Sequence, residues 1–82
     1  MNPEFILAYE IALNNYIVKL YRFDDNSPYV DSTTVNGLID QLNECSYVRQ
    51  VMDLVCVLEG ITQTEIFDLN NNLLLVNKIV FE

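Results

Sequence analysis

The chain has 82 residues, 51% of them hydrophobic, with two glycines, two prolines and a formal net charge of −8 from twelve carboxylates against four basic side chains. A chain this short builds one domain, near the lower end of what a hydrophobic core sustains unaided, and its apolar content excludes an intrinsically disordered acidic tail. The charge repels nucleic-acid phosphates and anionic lipid and attracts basic surfaces, through a field screened over about 8 to 10 Å.

In chain order, Asn2-Pro3-Glu4 suits a helix start, with proline at the first position and a carboxylate near the positive end of the dipole. Against it, Asn14-Asn15 interrupts the segment. Phe5, Leu7, Tyr9, Ile11 and Leu13 alternate on one side, and the β-branched and aromatic run Tyr16-Ile17-Val18 follows. The balance favours an N-terminal hairpin, with a helix over residues 3–22 as the alternative. Residues 24–32 read as a loop, because Asp24, Asp25, Asn26, Ser27 and Pro28 are all turn formers.

Ser32, Thr33 and Thr34 then offer capping hydroxyls ahead of Val35, Leu38, Ile39 and Leu42, which recur at helical spacing. A helix over about 33–45 follows, with Asp40 and Glu44 on its outer face. Continuing it through Val48, Val51, Met52 and Val55 swings the apolar direction far round the axis, so the chain breaks near Ser46. Four valines and the Glu59-Gly60 turn favour a strand in the later part of residues 47–58, with a helix over 46–58 as the alternative. Residues 61–69 and 73–81 flank Asn70-Asn71-Asn72, whose asparagines tolerate the left-handed conformation of a hairpin turn. The last third therefore reads as a three-stranded meander.

The expected fold class is α+β, a single compact acidic domain over residues 1–82 with a mostly antiparallel sheet: N-terminal hairpin, central helix and C-terminal meander. The helix-rich alternative has helices over 3–22, 34–45 and 46–58 and a C-terminal hairpin. Leu73, Leu74, Leu75 and Val76 point to both faces of their strand, and one helix shields only one face. The second face is covered either by the N-terminal segment in an intramolecular sandwich or by a second copy in a symmetric homodimer. Pairing through the sheet edge at residues 79–81 is a third route.

Cys45 and Cys56 lie in apolar stretches and read as buried reduced thiols. With no charged leader before an apolar run and no apolar run near 18 residues, the sequence predicts neither a signal peptide nor a membrane span, and a cytoplasmic protein.

Little in the chain looks chemical. Without histidine, the usual activated serine and cysteine nucleophiles lack their base. Asp24, Asp25 and Asp31 form the obvious carboxylate cluster, but a glycosidase pair needs a cleft that a chain this size has little room for. A calcium loop starting at Asp24 lacks its glycine and terminal glutamate, since Tyr29 and Val35 stand there. No cofactor, metal or catalytic residue is expected.

The carboxylates instead point to a partner rich in lysine and arginine, with solubility as the plainer explanation of the acidity. Ten asparagines beside many isoleucines and tyrosines accompany only two lysines, a composition short of positive charge. The candidate partner-binding residues are Asp24, Asp25, Asp31, Asp40, Glu44, Glu59, Glu65 and Asp68, with Tyr29 the tyrosine expected at the surface and Tyr9, Tyr16, Tyr21 and Tyr47 in the core or at its rim. No family motif is matched. In size, acidity and lack of catalytic groups the chain resembles the small inhibitors that bacteriophages and other mobile elements make against host nucleases, including anti-CRISPR proteins and DNA mimics. That resemblance rests on composition alone. It implies a non-enzymatic inhibitor whose carboxylates occupy a basic groove, such as one that holds nucleic acid, on a host enzyme, with no direct contact to nucleic acid or membrane. The rival expectation is a structural homo-oligomer joined through its apolar sheet face.

Overall fold

The N-terminal segment folds back on itself. In the computed structural model, which describes residues 6–22, 32–58 and 60–78, β1 (Ile6–Ala12) runs antiparallel to β2 (Ile17–Arg22). Across the Asn14-Asn15 turn the Leu13 amide donates to the Tyr16 carbonyl at 2.9 Å. Ile11, Val18 and Leu20 fall on one face of this ribbon and are buried, an arrangement that a helix would have scattered round its axis. The alternative helix over residues 3–22 is thereby overturned for the described part of that segment. A bulge between Leu7 and Tyr9 sets Leu7 opposite Tyr21 but Tyr9 opposite Leu20. Leu7 therefore leaves the face that Tyr9 and Ile11 share, against the simple alternation read from the sequence.

Helix α1 (Ser32–Glu44) buries Val35 and Leu42 and half-buries Leu38 and Ile39, as their spacing requires. Ser32 is already helical, so the cap position before it lies outside the described residues. The chain breaks at Cys45–Tyr47, where expected, and restarts at once as α2 (Val48–Val55). This corrects the expected strand and, with it, the three-stranded meander. Val48, Val51, Met52 and Val55 sit at i, i+3, i+4 and i+7, and that amphipathic stripe outweighs the strand preference of the valines. Gln50 secures the start of the helix, its Oε1 accepting the Ser46 and Tyr47 amides at 2.9 and 3.0 Å. Gly60, at φ 84°, then turns the chain as only glycine does readily.

β3 (Gln63–Phe67) and β4 (Leu73–Lys78) form the C-terminal hairpin, with Asn71 left-handed at φ 66° in its turn. The Asp68 carboxylate organises that turn: Oδ1 accepts the Asn70 and Asn72 amides at 2.8 and 2.9 Å, and Oδ2 accepts the Asn72 side-chain amide at 2.9 Å. A second bulge falls between Ile66 and Phe67.

β2 pairs antiparallel with β3, joining the two hairpins into one four-stranded sheet of order β1-β2-β3-β4. The N-terminal hairpin thus lies beside the C-terminal one and not over it, so the described residues form no sandwich. Thr62 ties the seam, its amide and hydroxyl both donating to the Tyr21 carbonyl at 2.8 and 3.2 Å. Both helices pack on one side of the sheet, where Val18, Leu20 and Ile66 meet Val35, Leu42, Val51 and Val55 in a single core. The protein is an α+β fold of two layers. No described helix is long and apolar enough to cross a membrane.

Candidate interaction surfaces

The expected site residues are not gathered into one described patch. Asp24, Asp25, Tyr29, Asp31 and Glu59, together with the proposed edge at residues 79–81, lie outside the described residues. Asp40 and Glu44 stand exposed on the outer face of α1, on the helical side. Glu65 points to the opposite side of the molecule, from the sheet. Asp68 is committed to its own turn, and its bonds to the Asn72 backbone and side chain, and to Asn70, hold its carboxyl below the ordinary aspartate value.

The end of α1 is electrostatically unbalanced. Asp40 and Glu44 are four residues apart, the last turn carries no basic residue, and among the described residues no cation pairs with either. The helix macrodipole adds partial negative charge at this same end. On α2, by contrast, Asp53 faces Arg49 at 3.4 Å.

The sheet face turned away from the helices is a second surface. Directly opposed residues on neighbouring strands share a face, so one row across the sheet reads Glu10, Lys19, Glu65, Val76, and another reads Ala12, Ile17, Phe67, Leu73. Lys19 Nζ lies 5.0 Å from the centre of the Phe67 ring, a cation–π contact. Gln63 Nε2 donates to Glu65 Oε2 at 3.3 Å. Burial, then the hydrogen bond to Glu65 and that residue's charge, with Glu10 adding to it, push the Tyr21 phenol up to about 12. At the β4 end of this surface Leu73, Leu74 and Val76 stay 52%, 43% and 48% exposed.

No protein-family model, curated protein or solved structure matches this chain.

A cleft between α2 and the C-terminal hairpin, lined by Cys56, Thr62, Thr64 and Asn77 among others, holds about 20 Å³. That admits one water, against the roughly 300 to 1,000 Å³ of a small-molecule pocket. Among the described residues no three histidine, cysteine or carboxylate side chains converge as metal ligands would. Both cysteines are free thiols but neither is buried: Cys45 is half-buried and Cys56 exposed. The reason is helical phase, since Val55 takes the inward direction at the end of α2 and Cys56, one residue on, turns outward to accept a hydrogen bond from Asn77 Nδ2 at 3.2 Å. Tyr9 and Tyr16 pack against the core, as expected, whereas Tyr21 lies on the sheet face turned away from the helices and Tyr47 is 70% exposed. Its position as the extended residue before α2 turns it outward, a role that the apolar context of the sequence did not signal.

Proposed function

We propose that the protein is a non-enzymatic acidic binding protein that inhibits or regulates a basic, nucleic-acid-binding partner, in the manner of phage-type inhibitors and DNA mimics. The observation that carries this reading is the end of α1. There two exposed carboxylates, without a pairing cation among the described residues, add to the negative pole of the helix, an arrangement that costs stability. A lysine- or arginine-rich surface relieves both terms at once, so binding is favoured where folding is not. The action is steric and electrostatic: the acidic surface fills the groove in which a phosphate backbone would lie. A cytoplasmic location belongs to the same proposal, on the basis of the two free thiols.

The test is capture of partners from host extract, with Asp40→Asn/Glu44→Gln as the comparison. The reading expects basic proteins retained at low salt, released at about 1 M salt where the Debye length falls to about 3 Å, and lost to the double variant. Retention indifferent to both salt and substitution removes the α1 surface from the mechanism.

A further inference from the structure

The sheet face opposite the helices differs in charge from the rest of the molecule. Among its described strand residues, Glu10 and Glu65 carry negative charge and Lys19 and Lys78 positive, so these sum to zero in a chain of formal charge −8. Both lysines of the protein are spent on this one face. A basic partner is drawn to a negative surface and gains nothing here. A second copy, repelled at every strongly negative surface, meets no net repulsion on this one.

The two central strands of the face are also self-complementary. If a two-fold axis runs along the strands between β2 and β3, Lys19 of each copy lies over Glu65 of the other, Ile17 over Phe67, and Tyr21 over Gln63. Stacking two sheets with their strands aligned is one of the two standard ways in which sheets pack. Four strands of this length cover a footprint of roughly 20 by 20 Å. Side-chain relief brings the accessible area to the order of the about 800 Å² per partner that a standard interface buries, roughly a seventh of the 5546 Å² surface of the chain. The exposed Leu73, Leu74 and Val76 then lie at the margin of the contact and lose their exposure to water.

We infer that this face joins two copies of the chain as a symmetric, face-to-face homodimer. The contact uses neither Asp40 nor Glu44, so it stands independently of the basic-partner reading.

Sedimentation equilibrium of the full chain tests it. The expected species is about 19 kDa, twice the 9.5 kDa chain, and it persists at about 1 M salt because the joined surfaces are neutral. Phe67→Glu, beside the two-fold axis at the end of β3, weakens association by about 30-fold or more. Leu74→Glu, at an exposed position where a charge leaves the core untouched, weakens it in the same direction with an unchanged circular dichroism spectrum. Val57→Glu, on the helical side and 75% exposed, leaves the dimer intact. Lys19→Glu weakens the dimer, and Lys19→Glu/Glu65→Lys restores it. A chain that stays monomeric up to about 1 mM, a dimer that salt dissolves, or a dimer indifferent to both Leu74→Glu and Phe67→Glu in folded protein overturns the inference.

Discussion

Removing the two carboxylates at the end of α1 should make the protein more stable, an outcome unusual enough to be decisive. Asp40→Asn/Glu44→Gln changes neither side-chain shape nor buried contacts, since both residues are exposed, and it alters helix propensity little. Two contributions are relieved. The like-charge pair at i, i+4 costs about 0.2 to 0.5 kcal/mol, and Glu44, in the last turn against the negative pole, costs about 0.3 to 1 kcal/mol; Asp40, one turn further in, feels the pole weakly. The gain is therefore about 1 kcal/mol at low ionic strength. In a domain of this size that is a rise of about 4 to 8 °C in melting temperature. Thermal denaturation followed by circular dichroism reads it directly, and repetition at about 1 M salt should erase most of the difference. A variant no more stable than the parent at low salt, or one whose gain survives high salt, would refute the claim that these carboxylates are uncompensated. The same variant is the one expected to lose its partner.

Four further outcomes follow from the structure. Gly37 lies exposed within α1 and a Cβ there meets no atom within 4 Å, so Gly37→Ala should stabilise the protein by about 0.5 to 1 kcal/mol in urea denaturation. Leu42 is 1% exposed and central to the core; Leu42→Ala should cost about 2 to 5 kcal/mol in the same measurement. The Tyr21 phenol, raised to about 12 in the folded chain from an ordinary 10, binds its proton more tightly when folded. Its contribution to stability is therefore complete below pH 10 and disappears as pH rises toward 12, a loss of no more than about 1 kcal/mol once solvent screening of this half-exposed group is included; Tyr21→Phe should remove that alkaline dependence. Asp68 has the opposite sign: its lowered carboxyl supports the fold above the ordinary aspartate value and ceases to do so as pH falls through the folded value. Acidification, or Asp68→Ala at neutral pH, should accordingly raise hydrogen exchange at the Asn70 and Asn72 amides.

What the sequence made legible was local. Asn14-Asn15 and Asn70-Asn71-Asn72 each mark a hairpin, and the spacing of Val35, Leu38, Ile39 and Leu42 marks α1, because a turn or a helical stripe is encoded within a few residues. The error at residues 54–58 was also local. Val48, Val51, Met52 and Val55 carry a helical stripe out of phase with that of α1, and the strand preference of the valines masks it. Other features depend on distant neighbours and leave no local trace. The bulge that turns Leu7 away from Tyr9 exists only through its pairing with β2. Cys56 is exposed because of where α2 ends. Asp68, counted among residues available to a partner, is occupied by Asn70 and Asn72, a use that its acidic character did not foretell. The exposure of Leu73, Leu74 and Val76, in contrast, was foreshadowed by an apolar run too long for one helical cover.

The joint between β2 and β3 has a consequence for synthesis. Val18 meets Ile66 across it, whereas each hairpin closes within a short stretch of its own half. A nascent chain therefore completes the first hairpin while the strand destined to lie beside it is still inside the ribosome. Until residues 63–67 emerge, the backbone of β2 offers unpaired amides and carbonyls along its inner side. Conditions that slow translation between β2 and β3 should therefore favour aggregation over assembly.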